Sequence, residues 1–206
     1  MNARSLLLGL AAGIALQTAL PAAAQSAAQS AVTLYGGYRG GGSFQQTAGG
    51  NAADLSSSAA GAVSIDWPMD SARKVQLFAS SQRSTLQLSP GVPASVPLNV
   101  TYLHLGGSNF FEGTVGQGAY IAGGLGATFM SPQYSGLTSE VRPSLSIALG
   151  YEQPLGAALT LRMEVRGYAT LINSSGGFFC SGGCVVAIKG DSLQQVDALI
   201  GLSYRF

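Results

Sequence analysis

"ALIGLSYRF", residues 198–206, is the last stretch of the sequence. Counting back in twos from Phe206 gives Tyr204, Leu202, Ile200 and Ala198, all apolar. Between them sit Arg205, Ser203, Gly201 and Leu199, which are mostly small or polar. Successive side chains of a strand point to opposite faces, so this alternation reads as a strand with one apolar face. In a soluble domain that face points into a core. In a transmembrane barrel it points into lipid. The remainder of the chain decides between the two.

The opening residues, "MNARSLLLGLAAGIALQTALPAAAQ", carry a basic Arg4 and an apolar run from Leu6 to Leu16. Small residues follow, with Ala22 and Ala24 placed for cleavage before Gln25. That is the pattern of a secretory signal peptide over residues 1–24, too short and wrongly flanked for a spanning helix. The exported remainder, 25–206, has the size of one domain. No later stretch reaches the roughly 18 uninterrupted apolar residues of a transmembrane helix.

Composition separates this chain from an ordinary soluble domain. It is 47% hydrophobic, only 9% charged, and holds 29 glycines. A soluble domain averages about 25% charged residues. Low charge without apolar runs means that the apolar residues are dispersed along the chain. With Arg4 removed, nine basic residues face nine acidic ones. No basic face suggests nucleic acid.

Eight segments alternate in this way, separated by clusters of Gly, Ser, Pro and Asn. They are 31–40, 59–67, 73–83, 96–106, 119–130, 142–152, 159–172 and 192–206. Each is near the 9–11 residues that cross a bilayer as a tilted strand, and longer than the usual five or six of a soluble strand. Long polar stretches join the first to the second, the third to the fourth, the fifth to the sixth and the seventh to the eighth. The joins "PMDSA" and "QPLGAA" are short, and "GSNFFEGTVGQG" is longer. Short turns at one rim and long loops at the other suit an outer-membrane barrel, and an even strand count lets the sheet close. In the seventh segment Leu159, Leu161, Met163, Val165, Ala169 and Leu171 share one face, with charged and polar residues on the other. A soluble sandwich strand would look the same. Two features favour the barrel: the apolar face recurs on nearly every segment, and Tyr38, Trp67, Phe129, Tyr151, Tyr204 and Phe206 fall near segment ends. Aromatic girdles of that kind flank the apolar band of lipid-facing barrels. The expected fold is therefore all-β, an eight-stranded antiparallel transmembrane barrel.

The leader, the eight amphipathic segments and the terminal "YRF" resemble small bacterial outer-membrane barrels of the OmpA/OmpX/OmpW type. The stretch from "TYLHLGGSNFF" through "FFCSGGCVV" to the end resembles porin-like members of that class. The resemblance implies an outer-membrane location, lipid around the wall, and Tyr204 and Phe206 as the signal read by the barrel-assembly machinery. It names no substrate and no external ligand.

The sequence offers little to a catalytic reading. His104 is the single histidine, with Ser108 four residues on; hydrolytic chemistry also needs an orienting carboxylate in reach. We expect His104 at the short-turn end of the fourth strand in a structural role, and no enzyme. Cys180 and Cys184 in "FFCSGGCVV" read as a disulfide in an exported chain, with a redox thiol pair as the alternative. Two cysteines and a distant histidine make a poor zinc site. "YGGYRGGGS" (35–43) lacks the Lys-Ser/Thr and the helix of a phosphate loop, and its glycines suit strand bending instead. No cofactor is expected.

If each apolar face meets lipid, the interior receives Arg39, Lys74, Arg162, Arg166 and Arg205 with Asp66, Glu152, Glu164 and Asp197. These nearly cancel, whereas a selective pore tends to be lined by one sign. An eight-strand barrel is only wide enough for its own side chains or one small ligand. The expectation is a lumen plugged by paired charges and a structural or surface-interaction role. A narrow solute channel and a lipid-modifying enzyme are the alternatives.

Overall fold

The computed structural model describes residues 29–46, 52–87, 95–133, 137–172, 188–189 and 192–206. The leader over 1–24 and the pair Cys180 and Cys184 lie outside the described residues. The strands are β1 (Ala31–Gly40), β2 (Ser43–Gln46), β3 (Ala52–Leu55), β4 (Ser58–Pro68), β5 (Arg73–Gln87), β6 (Ser95–Phe110), β7 (Gly118–Pro132), β8 (Glu140–Pro154), β9 (Leu159–Leu171), β10 (Ile188–Lys189) and β11 (Ser192–Arg205). The long ones form a ring in the order β1, β4, β5, β6, β7, β8, β9, β11, every pair antiparallel. β11 returns to β1 from Ala31↔Arg205 to Gly40↔Val196, and this pairing closes the barrel. Closure leaves no unpaired edge around the wall, which is what a sheet in hydrocarbon requires.

Alternation places the apolar residues outside. Leu34 and Leu125 are 67% and 71% exposed, and Leu149, Val165, Ile200 and Leu202 project likewise. Their in-strand neighbours Tyr35, Glu164, Arg166 and Ser203 are buried within the bore. This is the reverse of a soluble barrel and the arrangement that suits lipid. The aromatics form two belts on the outer wall. Tyr38 and Phe129 mark the long-loop rim, and Trp67, Tyr151, Tyr204 and Phe206 mark the short-turn rim; all are exposed.

Two joins differ from the sequence reading. The "GSNFFEGTVGQG" join shrinks to residues 111–117, because β6 runs on to Phe110. The alternation was hidden at Gly106, Gly107 and Ser108, yet Phe110 still points inward and packs on Tyr120 at 5.2 Å between ring centres. Gly113 and Gly116 take φ of 69° and 87° to turn the chain there, a conformation that L side chains avoid. The long polar join between the first two segments includes "QQTAGGNAADLSSS" (45–58). It contributes to a hairpin in which β2 pairs with β3, and β3 extends the wall by pairing Leu55 with Leu86 of β5. Gly41 allows this approach, since a Cβ there would overlap the Leu55 carbonyl. In the β4–β5 turn, Asp70 accepts from the Arg73 guanidinium at 2.6 Å and from the backbone N–H of Ala72 and Arg73. The Arg73 hydrogen bond is the largest of the contacts that hold its carboxyl below the usual range.

Candidate functional site: the barrel lumen

Inward positions of the strands stack into layers across the bore. The layer nearer the short turns centres on Arg162 of β9. Its Nη1 lies 2.9 Å from Asp66 Oδ2 and its Nε 3.3 Å from Glu152 Oε1. The same Nε donates to the Tyr120 hydroxyl at 2.8 Å, and Tyr120 donates to Glu164 Oε2 at 2.7 Å. Glu164 also accepts from Arg166 Nε at 2.7 Å and lies 3.8 Å from Arg162 Nη2. Lys74 Nζ donates to both oxygens of Glu152 at 2.9 and 3.0 Å. Gln76 bridges the layer, donating to Asp66 and accepting from Arg166, each at 2.8 Å. Three cations and three carboxylates thus meet within one layer, all of them buried. Charges kept from water need such partners, and here each has at least one.

A second layer lies toward the long loops. Arg39 of β1 holds Asp197 of β11 in a two-point contact, Nε–Oδ1 at 2.5 Å and Nη2–Oδ2 at 2.8 Å. The same Nη2 donates to Ser80, and Tyr168 donates to Asp197 at 2.8 Å. Tyr102 and Tyr168 stack at 4.1 Å with their planes 15° apart. The Arg39 guanidinium lies 4.8 and 4.9 Å from their ring centres, within cation–π range. Tyr102, Gln195 and Gln82 continue the chain of hydrogen bonds across the bore. Between the layers, Phe78 lies under the Arg166 guanidinium at 3.9 Å and meets Tyr35 edge-on. Above the second layer the inward residues turn apolar. Leu55, Leu86, Leu98, Met130, Ile172 and Leu193 form a buried cluster near the long-loop rim.

Eight of the nine charged residues expected inside therefore sit in these two layers. Arg205 does not. It ends β11 at the short-turn rim, half-buried, and its Nη2 donates at 2.9 Å to the Gly156 carbonyl of the β8–β9 turn. On its rung Ala31 stands between it and Asp66, and among the described residues it makes no ion pair with a carboxylate. His104 differs too. It faces into the bore in the middle of the barrel, 1% exposed, rather than standing at a strand end. Its ring nitrogens meet Ser146 Oγ at 2.9 Å and Ser144 Oγ at 2.8 Å, and Ser108 is not its partner. That hydrogen bonding orients a ring and assembles no carboxylate behind it.

Sequence reasoning missed Gln76, Tyr120, Tyr102 and Tyr168, which link the charges into networks. Gln76, Tyr120 and Tyr168 were legible as inward positions by the parity that located the charges; Tyr102 was not, because Val96, Leu98 and Val100 on its own face are apolar and yet buried in the bore. A Gln or Tyr between charged neighbours, however, does not advertise its partner.

The sequence matches no family model and no curated protein. Among solved structures, the barrel is similar to Neisserial surface protein A, NspA, with a TM-score of 0.58 at 9% identity, covering 86% of this chain and 97% of that one. It is also similar to the outer membrane protein AlkL, whose structure was determined in DMPC lipid bilayers, with a TM-score of 0.53 at 15% identity, covering 86% of this chain and 90% of that one. At these identities the likeness is one of fold, and the fold is that of the small outer-membrane β-barrels.

Proposed function

We propose that this protein is an outer-membrane barrel whose lumen is closed and whose work is structural or interactive, carried by the loops at its external rim. The short turns then face the periplasm and the long loops the exterior, as is usual for such barrels. The observation that carries the reading is the pairing of Lys74 with Glu152 and of Arg162 with Asp66 across the bore, beside the neighbouring pairs Arg39–Asp197 and Arg166–Glu164. Opening a path would strand buried charges, each at a cost of several kcal/mol. The apolar cluster above the second layer narrows the polar path through the bore among the described residues. Outer-membrane lipid surrounds the wall in this reading, and Tyr204 and Phe206 present the strand that the assembly machinery reads. A Cys180–Cys184 disulfide would belong to the last external loop. Liposome swelling with small sugars and amino acids tests the proposal. Swelling no faster than in protein-free vesicles is expected, and concentration-dependent swelling would promote the solute-channel alternative.

A further inference from the structure

Below the first charged layer, a cavity of about 580 Å³ opens at the short-turn rim. Its roof is the Lys74–Glu152 pair, its floor the Gly113–Gln117 loop, and one wall carries Thr160, Ser203 and Arg205. This volume lies within the range of small-molecule sites. Thr160 is 1% exposed, yet its hydroxyl has no partner among the described residues. Arg205 spends Nη2 on the Gly156 carbonyl, while its buried Nε has no partner. Gly116, at φ 87°, brings the loop backbone close to both Arg205 and Glu152. A buried donor left unpaired is costly, so unpaired donors on residues that line a cavity favour a ligand that completes them.

The charges select its kind. Lys74 and Arg205 against Glu152 leave one net positive charge among the lining residues, and the carboxyl of Glu112 folds back against Gly118 instead. A monoanion balances that charge; a dianion would add a second negative charge near Glu152. An Arg fork matches the geometry of a carboxylate, with the Thr160 and Ser203 hydroxyls beside it for a polar body. We infer that this mouth is a binding site for a small monocarboxylate of the periplasmic side, held by Arg205 with Thr160 as a supporting donor. The inference rests on the fold and on the orientation given above, and an open lumen would leave it standing.

The test is a titration of isotope-labelled protein in lipid nanodiscs, reading the amide signals of Gly113 and Gly116. The probes are N-acetylglycine, acetate and inorganic phosphate, at mildly alkaline pH where phosphate is a dianion. N-acetylglycine should bind saturably in the millimolar range, more tightly than acetate, and phosphate should bind weakest. Arg205→Gln should weaken N-acetylglycine by about tenfold or more, as expected for loss of a charged hydrogen-bond donor. Thr160→Val, which keeps the buried shape, should weaken it by about threefold. Both variants are first checked for the gel shift of the folded barrel, and Thr160→Val stands as the test if Arg205→Gln does not fold. No saturable response, or one that both variants retain in full, would overturn the site. A preference for phosphate would overturn its assignment to a carboxylate.

Discussion

Glu164 stands between two guanidiniums, accepting from Arg166 at 2.7 Å and facing Arg162 at 3.8 Å, with the Tyr120 hydroxyl on its second oxygen. Replacing it with Gln keeps the shape and removes the charge that both cations share. Glu164→Gln should lower stability by about 3 kcal/mol, since breaking a buried pair from one side leaves an uncompensated charge. Denaturant unfolding in lipid vesicles measures it, and a midpoint equal to wild type would show the network to be slack. The pair Arg39–Asp197 allows a sharper comparison. Asp197→Leu alone strands Arg39, which is fully buried, and should cost about 3–5 kcal/mol. Adding Arg39→Met should restore much of that loss, because a packed apolar pair needs no partner charge. A double variant no more stable than the single one would mean that the layer acts through packing against Tyr102 and Tyr168, not through charge.

At the scale of the strand, β11 makes the whole argument in small. Val196, Ile200, Leu202, Tyr204 and Phe206 are exposed on the outer wall, and Gln195, Asp197, Leu199 and Ser203 are buried behind it. Phe206 itself adds little to the wall: its N–H reaches the Ser30 carbonyl at 2.9 Å, and its ring lies open. Deleting Phe206 should therefore leave refolding of purified protein nearly unchanged while lowering the amount of barrel in cells. Comparing heat-modifiable bands from membranes with those from refolding reactions checks this, and equal losses in both would deny the residue an assembly role. Strands like β9 were legible because apolar residues, interrupted only by Gly167, alternate with charged or polar ones from Leu159 to Leu171. The end of β6 was not, because glycines at 106 and 107 erase the alternation while the backbone pairing with Gly123 and Gly124 continues. The β2–β3 hairpin was hidden for a different reason. Its composition is that of a loop, and its order depends on tertiary pairing with Leu86 that no local pattern encodes.

Over the whole molecule, parity located the charged faces, and eight of the nine expected charges lie in the bore; in β6 it did not separate inside from outside, since Val96, Leu98 and Val100 are buried beside Tyr102 and His104. Which charge meets which was beyond the sequence, because partners such as Arg39 and Asp197, or Lys74 and Glu152, come from strands far apart in the chain and meet only on closure. His104 was misplaced because β6, the fourth of the expected segments, continues further toward the short turns than its pattern suggests. The outward apolar band predicts that the protein from cells will fractionate with outer membranes, require detergent, and migrate differently on gels with and without boiling. Recovery in a soluble periplasmic extract would contradict the lipid-facing wall. What that wall encloses decides whether the barrel conducts. Two layers of compensated charge and an apolar cluster across an eight-strand bore should carry no steady current. Planar-bilayer recording of the purified, folded barrel should show a baseline equal to that of the protein-free bilayer at every voltage; reproducible open steps of fixed conductance would mean an open bore and overturn the closed lumen.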